Sequence, residues 1–268
     1  LLNLIAYFLT VTSNILVIVF VPERLLDAFV TYYAGASMIV GTGVVYIFSS
    51  DAFSQVLKRY VRKTFLALAF NFFLAIVVSS FELLVTIYAI SILASDYYVT
   101  QAAGSRTIYA YRLSLAISTF IFLLFLHADQ SAFTWLLTAR TVLALVFILF
   151  IKADRITSLN LTSPLRYIAG THLVYFGSLA LLPWISSGIQ LKNWYVTYQV
   201  GYSALLKIAD FTIRQQVLSE KNLLSGAAVF SMISGIGAAI IFGNCLAMVL
   251  YLFGIALLYL IVRASVRL

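Results

Sequence analysis

"TWLLTARTVLALVFILFIKADR", residues 134–155, sets one arginine in a run that is otherwise apolar. Thr141 to Ile151 carries no charge, and Ser131 to Leu137 carries none either. A helix of about 20 mostly apolar residues spans the hydrocarbon core of a bilayer, and the run 131–151 reads as such a span. A guanidinium does not give up its proton in a protein. Arg140 therefore sits as a cation roughly 13 Å below the outer end of the span, close to the midplane. Facing lipid there would cost at least about 2.5 kcal/mol. The expectation is that Arg140 faces the interior of a helix bundle or a wet cavity.

Similar runs recur along the chain. The expected spans are 1–21, 28–49, 62–79, 82–98, 109–127, 131–151, 167–187, 193–214, 222–242 and 244–262. The third and fourth share one apolar run, broken at Ser79-Ser80-Phe81-Glu82. One helix of that length would far exceed a bilayer, so a tight hairpin is expected there. The runs are too long for strands and lack the alternation of a barrel. Of the 268 residues, 63% are hydrophobic and 10% charged, against about 25% charged in a soluble domain. The fold class read from this is an all-α polytopic transmembrane bundle of about ten spans. It is multi-pass and integral to a plasma membrane. Its parts are a first six-helix bundle over 1–151 and a second, incomplete bundle of about four helices over 152–268.

The net charge of +8 reads as topology, not as nucleic-acid binding, because the basic residues gather at alternate loops. Lys58, Arg59, Arg62 and Lys63 fall in one; Arg106 and Arg112 in the next. Lys152, Arg155 and Arg166 follow, then Arg214 and Lys221, then Arg263 and Arg267 in the tail. The intervening loops hold only Arg24 and Lys192. Lys and Arg favour cytoplasmic loops, so both termini are expected in the cytoplasm. Trp135, Trp184 and Trp194 fall at outer ends of spans, where indole rings prefer the headgroup level.

Two basic residues remain inside spans, Arg140 and Lys207. Lys207, Asp210 and Arg214 are spaced to share one helix face. A snorkelling, salt-bridged helix end would explain Lys207 as well as a binding role would, and Asp210 could neutralise its neighbours or carry a proton. The lone Cys245 excludes an internal disulfide and reads as a small buried hydrophobe. Both histidines stand alone, so no metal site is expected. There is no H-E-x-x-H, G-x-S-x-G or P-loop, and no enzyme or cofactor is expected. "SGIG" at 234–237, with Gly226, suggests close helix packing.

Three stretches carry a resemblance. "VFVPERLLDAFVTYYAGASMIVGTGVVYIFSSDAF" (19–53) resembles the opening of polysaccharide flippases, where a short outer loop with a Pro-acidic start leads into a small-residue helix. "ASDYYVTQAAGSRTIYAYRLSLAIST" (94–119) resembles the connection between their fourth and fifth spans. "RYIAGTHLVYFGSLALLPWISSGI" (166–189) is similar to the seventh span that opens their second half. The family is the lipid-linked oligosaccharide (O-antigen type) flippases of the multidrug/oligosaccharidyl-lipid/polysaccharide exporter superfamily. The resemblance implies two bundles around a central cavity in a bacterial inner membrane, working by alternating access. It implies an undecaprenyl-pyrophosphate-linked glycan as substrate, and other polysaccharide-assembly membrane proteins as neighbours. Arg140 and Lys207 would then bind the pyrophosphate, and Asp210 is the candidate for ion coupling. Such flippases have twelve or fourteen spans, and Leu1 already lies in an apolar run, so a longer protein is expected.

Two other readings compete. A structural or accessory subunit of a membrane complex would put Arg140 against a partner helix. An integral-membrane glycosyl- or acyltransferase would need acids or a histidine converging on one membrane face.

Overall fold

A computed structural model describes residues 2–44, 51–102, 105–125, 130–150, 164–215 and 221–266. Apart from short turns, these residues are helical. The order is α1 (Leu2–Phe20), α2 (Glu23–Ile39), α3 (Asp51–Val78), α4 (Phe81–Ala102), α5 (Ser105–Phe125), α6 (Gln130–Phe150), α7 (Pro164–Ile185), α8 (Gly188–Gln215), α9 (Lys221–Phe242) and α10 (Cys245–Val266). A π-helical turn, Val40–Val44, continues α2. Among the described residues each of the ten helices overlaps one of the ten expected apolar runs. Four of them, α3, α6, α9 and α10, contain stretches long and apolar enough to cross a membrane.

The helix ends differ from the apolar limits for a physical reason. Residues 51–61, read as loop, belong to α3, which runs for 28 residues. No glycine or proline interrupts 51–78, so nothing stops the helix where the apolar run stops. Arg59, Arg62 and Lys63 are simply exposed on its first half. The expected hairpin between the third and fourth runs is present. Ser79 takes a left-handed φ of 53°, which ends α3. Ser80 then caps α4, its hydroxyl accepting the Leu83 N–H at 3.3 Å and donating to the Glu82 carboxylate at 3.0 Å; such caps satisfy donors that the first turn leaves bare.

Alternate turns meet at one end of the protein. The Lys192 ammonium, near the start of α8, donates to the Val19 carbonyl at the end of α1 (3.1 Å). Asn244, between α9 and α10, donates to the Ile185 carbonyl at the end of α7 (2.6 Å) and accepts the Ala247 N–H (3.0 Å). Arg24, Ser79 and Ser131 line one cleft. Successive helices are therefore antiparallel, and the free ends of α1 and α10 point to the opposite end.

One hydrophobic cluster runs from Val17 and Leu26 through Tyr88 and Leu137 to Tyr175, Trp194 and Tyr251, so residues of 1–151 and 152–268 share a core. In the second half the core is held by tyrosines set against glycines. The Tyr251 ring lies between Gly201 of α8 and Gly235 of α9, and the Tyr202 phenol lies against Gly254 of α10. Tyr251 donates to the Ser231 carbonyl (2.9 Å), and Ser231 donates to the Gly201 carbonyl (3.0 Å). The expected close packing at "SGIG" is thus the work of Gly235, while Gly226 and Gly237 face open space.

Two sequence expectations are corrected. Trp194 is at the foreseen end of its helix but fully buried, its indole N–H donating to the Gly243 carbonyl (3.2 Å); only Trp135 and Trp184 are exposed. The aromatic run Trp194, Tyr198 and Tyr202 recurs every four residues and so turns one face inward. Cys245, taken as buried, is exposed at the first residue of α10.

Candidate functional site

Arg140 lies in the middle of α6 with 1% of its surface exposed. One terminal nitrogen donates to Ser13 Oγ of α1, to Thr119 Oγ1 of α5 (2.5 Å) and to the Leu115 carbonyl (3.3 Å). The other terminal nitrogen donates to Asn14 Oδ1 (3.1 Å). The Tyr88 ring of α4 stands 5.9 Å from the guanidinium carbon. Among the described residues every partner is a neutral group. Ser13 and Thr119 also bond each other at 3.0 Å. The Nε–H of Arg140 is buried with no partner. Among the described residues no carboxylate reaches it; the ion pair there is Arg112 with Asp96 at 3.4 Å.

A buried charge is costly unless paired, and a guanidinium favours carboxylate or phosphate oxygens held by its planar fork. Hydroxyls, an amide and a carbonyl serve its terminal nitrogens but leave the Nε–H without a partner and bring no opposite charge. Such a cation can bind an anion that displaces or joins the neutral oxygens. Sequence reading placed Arg140 inside the bundle but missed all its partners. Their signal was present: "TSN" at 12–14 and "ST" at 118–119 are polar clusters within apolar runs, and polar side chains there tend to bond across helices. It also missed Asp96, which partners Arg112. Lys207 and Asp210 lie on α8, but their side chains are outside the described residues.

A second feature is a cleft of about 670 Å³ at the end where alternate turns meet. Arg24 of α2, the α3–α4 turn at Ser79 and Ser80, and Ser131, Thr134 and Thr138 of α6 supply its polar wall. Arg140 does not line it. Nine residues separate Ser131 from Arg140, about two and a half turns, so the two point to opposite faces of α6. Cleft and buried cation are separate features.

Comparison of the chain with family models, curated proteins and solved structures gives no match.

Proposed function

We propose that this chain is a ten-span transporter of a bacterial plasma membrane, with both termini cytoplasmic. It passes the anionic headgroup of a lipid-linked glycan from the inner to the outer leaflet. The observation that carries this reading is Arg140: a buried cation at mid-helix, served among the described residues by neutral oxygens alone and with its Nε–H without a partner there. Ionisable residues within membrane spans usually mark pathways. A pyrophosphate supplies the missing charge, and the free Nε–H gives it a place to begin. Ser13, Asn14 and Thr119 hold the fork in place between cycles, and α1 and α5 part from α6 to admit the headgroup. The lipid tail stays in the bilayer while access alternates. Lys207 is a second point charge along the route, and Asp210 the carrier of the coupling ion.

The outward surface supports a membrane setting. Val142, Val146, Leu149 and Phe150 form an exposed stripe on α6, and Leu246, Val249, Phe253 and Leu260 form another on α10. Apolar stripes of this length are liabilities in water and ordinary in hydrocarbon. The positive-inside distribution of Lys and Arg supports the orientation. The bonds that tie α1 and α5 to Arg140 of α6 also suit an accessory subunit, in which the arginine is a structural tie; transport separates the two readings.

The assay uses vesicles containing polyprenyl pyrophosphate that carries a fluorescent sugar, bleached from outside by an impermeant reductant. Protein-free vesicles protect the inner half of the dye. With this protein the protected fraction should fall toward zero; an unchanged fraction rejects transport of this lipid class. For orientation, an impermeant maleimide should label native Cys245 on intact cells. A cysteine at Ser187 should label likewise in a Cys245→Ser chain, and one at Ser54 only after permeabilisation. The reverse pattern would invert the topology.

A further inference from the structure

The outer cleft has two kinds of wall. Arg24 and the hydroxyl-bearing Ser79, Ser80, Ser131 and Thr134 supply the polar lining, and Ile76, Phe81, Leu84 and Trp135 the apolar lining. It is about 670 Å³, within the range of small-molecule sites. Its apolar side runs into the exposed face of α3, where Phe73, Ile76 and Val77 point outward. Trp135 is 63% exposed, as suits an indole at headgroup level. A cleft that is polar toward the turn and opens onto an apolar helix face fits an amphiphile whose tails lie along α3.

The charges narrow the headgroup. Arg24 is exposed and makes no ion pair among the described residues. Glu82 is exposed too, and its carboxylate accepts the hydroxyl of Ser80, which itself lines the cleft. A cation in the lining and a carboxylate bonded to a lining serine offer the cleft both signs of charge. A purely anionic headgroup would meet Glu82 with repulsion, and a zwitterion carrying a phosphate and a compact ammonium would meet both charges favourably. An ammonium with three N–H donors can bond Glu82, whereas a quaternary one has none to give.

We propose that this cleft binds one bilayer phosphatidylethanolamine, with its phosphate on Arg24, its ammonium toward Glu82, and its acyl chains over Ile76 and Trp135. The site is distinct from Arg140, which points to the other face of α6. It rests on the chain lying in a bilayer and not on transport, so a protein that moves no lipid-linked glycan would still show the preference.

The test is quenching of Trp135 by lipids brominated on the acyl chains. The protein is reconstituted in a Trp184→Phe background, where buried Trp194 gives a constant signal. Brominated phosphatidylethanolamine should half-quench at a mole fraction about tenfold lower than brominated phosphatidylcholine or phosphatidylglycerol, the worth of one charge-assisted hydrogen bond. Arg24→Gln and Glu82→Gln, both on exposed side chains, should each erase the preference without changing the melting temperature. Trp135→Phe should remove the quenchable component. Equal quenching by all three lipids would reduce the cleft to ordinary annular contact, and a preference for phosphatidylglycerol would overturn the role of Glu82; either result rejects the proposal.

Discussion

Arg140→Met is expected to fold and to fail in transport. Methionine is long, flexible and apolar, and so fills most of the space an arginine side chain vacates. It removes a buried charge that no carboxylate among the described residues compensates, and replacing buried charged groups with apolar ones of similar volume is often neutral or stabilising. Ser13 and Thr119 keep each other, 3.0 Å apart, so the substitution orphans little. Thermal unfolding in detergent should therefore shift little or upward, while translocation falls at least about tenfold, the equivalent of one lost charge-assisted hydrogen bond. Arg140→Ala differs because it leaves a void, and large-to-small changes in packed interiors cost about 2–5 kcal/mol. Arg140→Lys keeps charge without the planar fork and should retain part of the activity. If the methionine variant melts as low as the alanine variant, Arg140 is a structural tie between α1, α5 and α6. If it transports normally, the anion site lies elsewhere.

The second large effect separates two glycines of one motif. Gly235→Ala would set a methyl group 2.3 Å from Tyr251 Cδ1 and 2.4 Å from Cε1. The obstacle is the body of the ring and not a movable tip. The ring has little room to swing away, because its hydroxyl end already lies close against the backbone of Gly201 and donates to the Ser231 carbonyl at 2.9 Å. Forced overpacking of this kind costs about 1–3 kcal/mol or more. Two residues on, a Cβ on Gly237 meets nothing within 4 Å. There alanine should be neutral or stabilising, by up to about 1 kcal/mol from helix propensity. Melting temperatures of the two variants, measured side by side in one detergent, check the contrast; a Gly237→Ala loss as large as that of Gly235→Ala would contradict the packing of α8, α9 and α10.

How far these features were legible varies by physical cause. The helices were legible because each follows an apolar run that marks its own residues, four of them long and apolar enough to cross a membrane. The break at Ser79-Ser80 was legible because a charge and two serines interrupt an overlong run. The extensions of α3 and α8 were not, since a helix continuing beyond hydrocarbon obeys backbone propensity and leaves no hydropathy signal. That Arg140 turns inward followed from the cost of exposing it. That its partners are Ser13, Asn14, Leu115 and Thr119 depends on α1 and α5 lying beside α6, a tertiary fact that no local pattern encodes. Trp194 shows the same limit from the other side. Its position along the helix was readable, but its burial depends on the neighbouring Tyr198 and Tyr251, with which its ring makes edge and tilted contacts.

The partners of Arg140 also have an order in time. Ser13 lies 127 residues before it, Asn14 126, Leu115 25 and Thr119 21, and Tyr88 also precedes it. Chains emerge from the ribosome N-terminus first, so every group seen to hold the guanidinium among the described residues is synthesised before the arginine itself. In the membrane setting proposed above, a charged α6 leaving the insertion machinery would meet a set of oxygens already made, and need not wait in lipid for a helix still to come. The second half of the chain can then be laid down against a completed first half, without the cation remaining as a barrier to insertion.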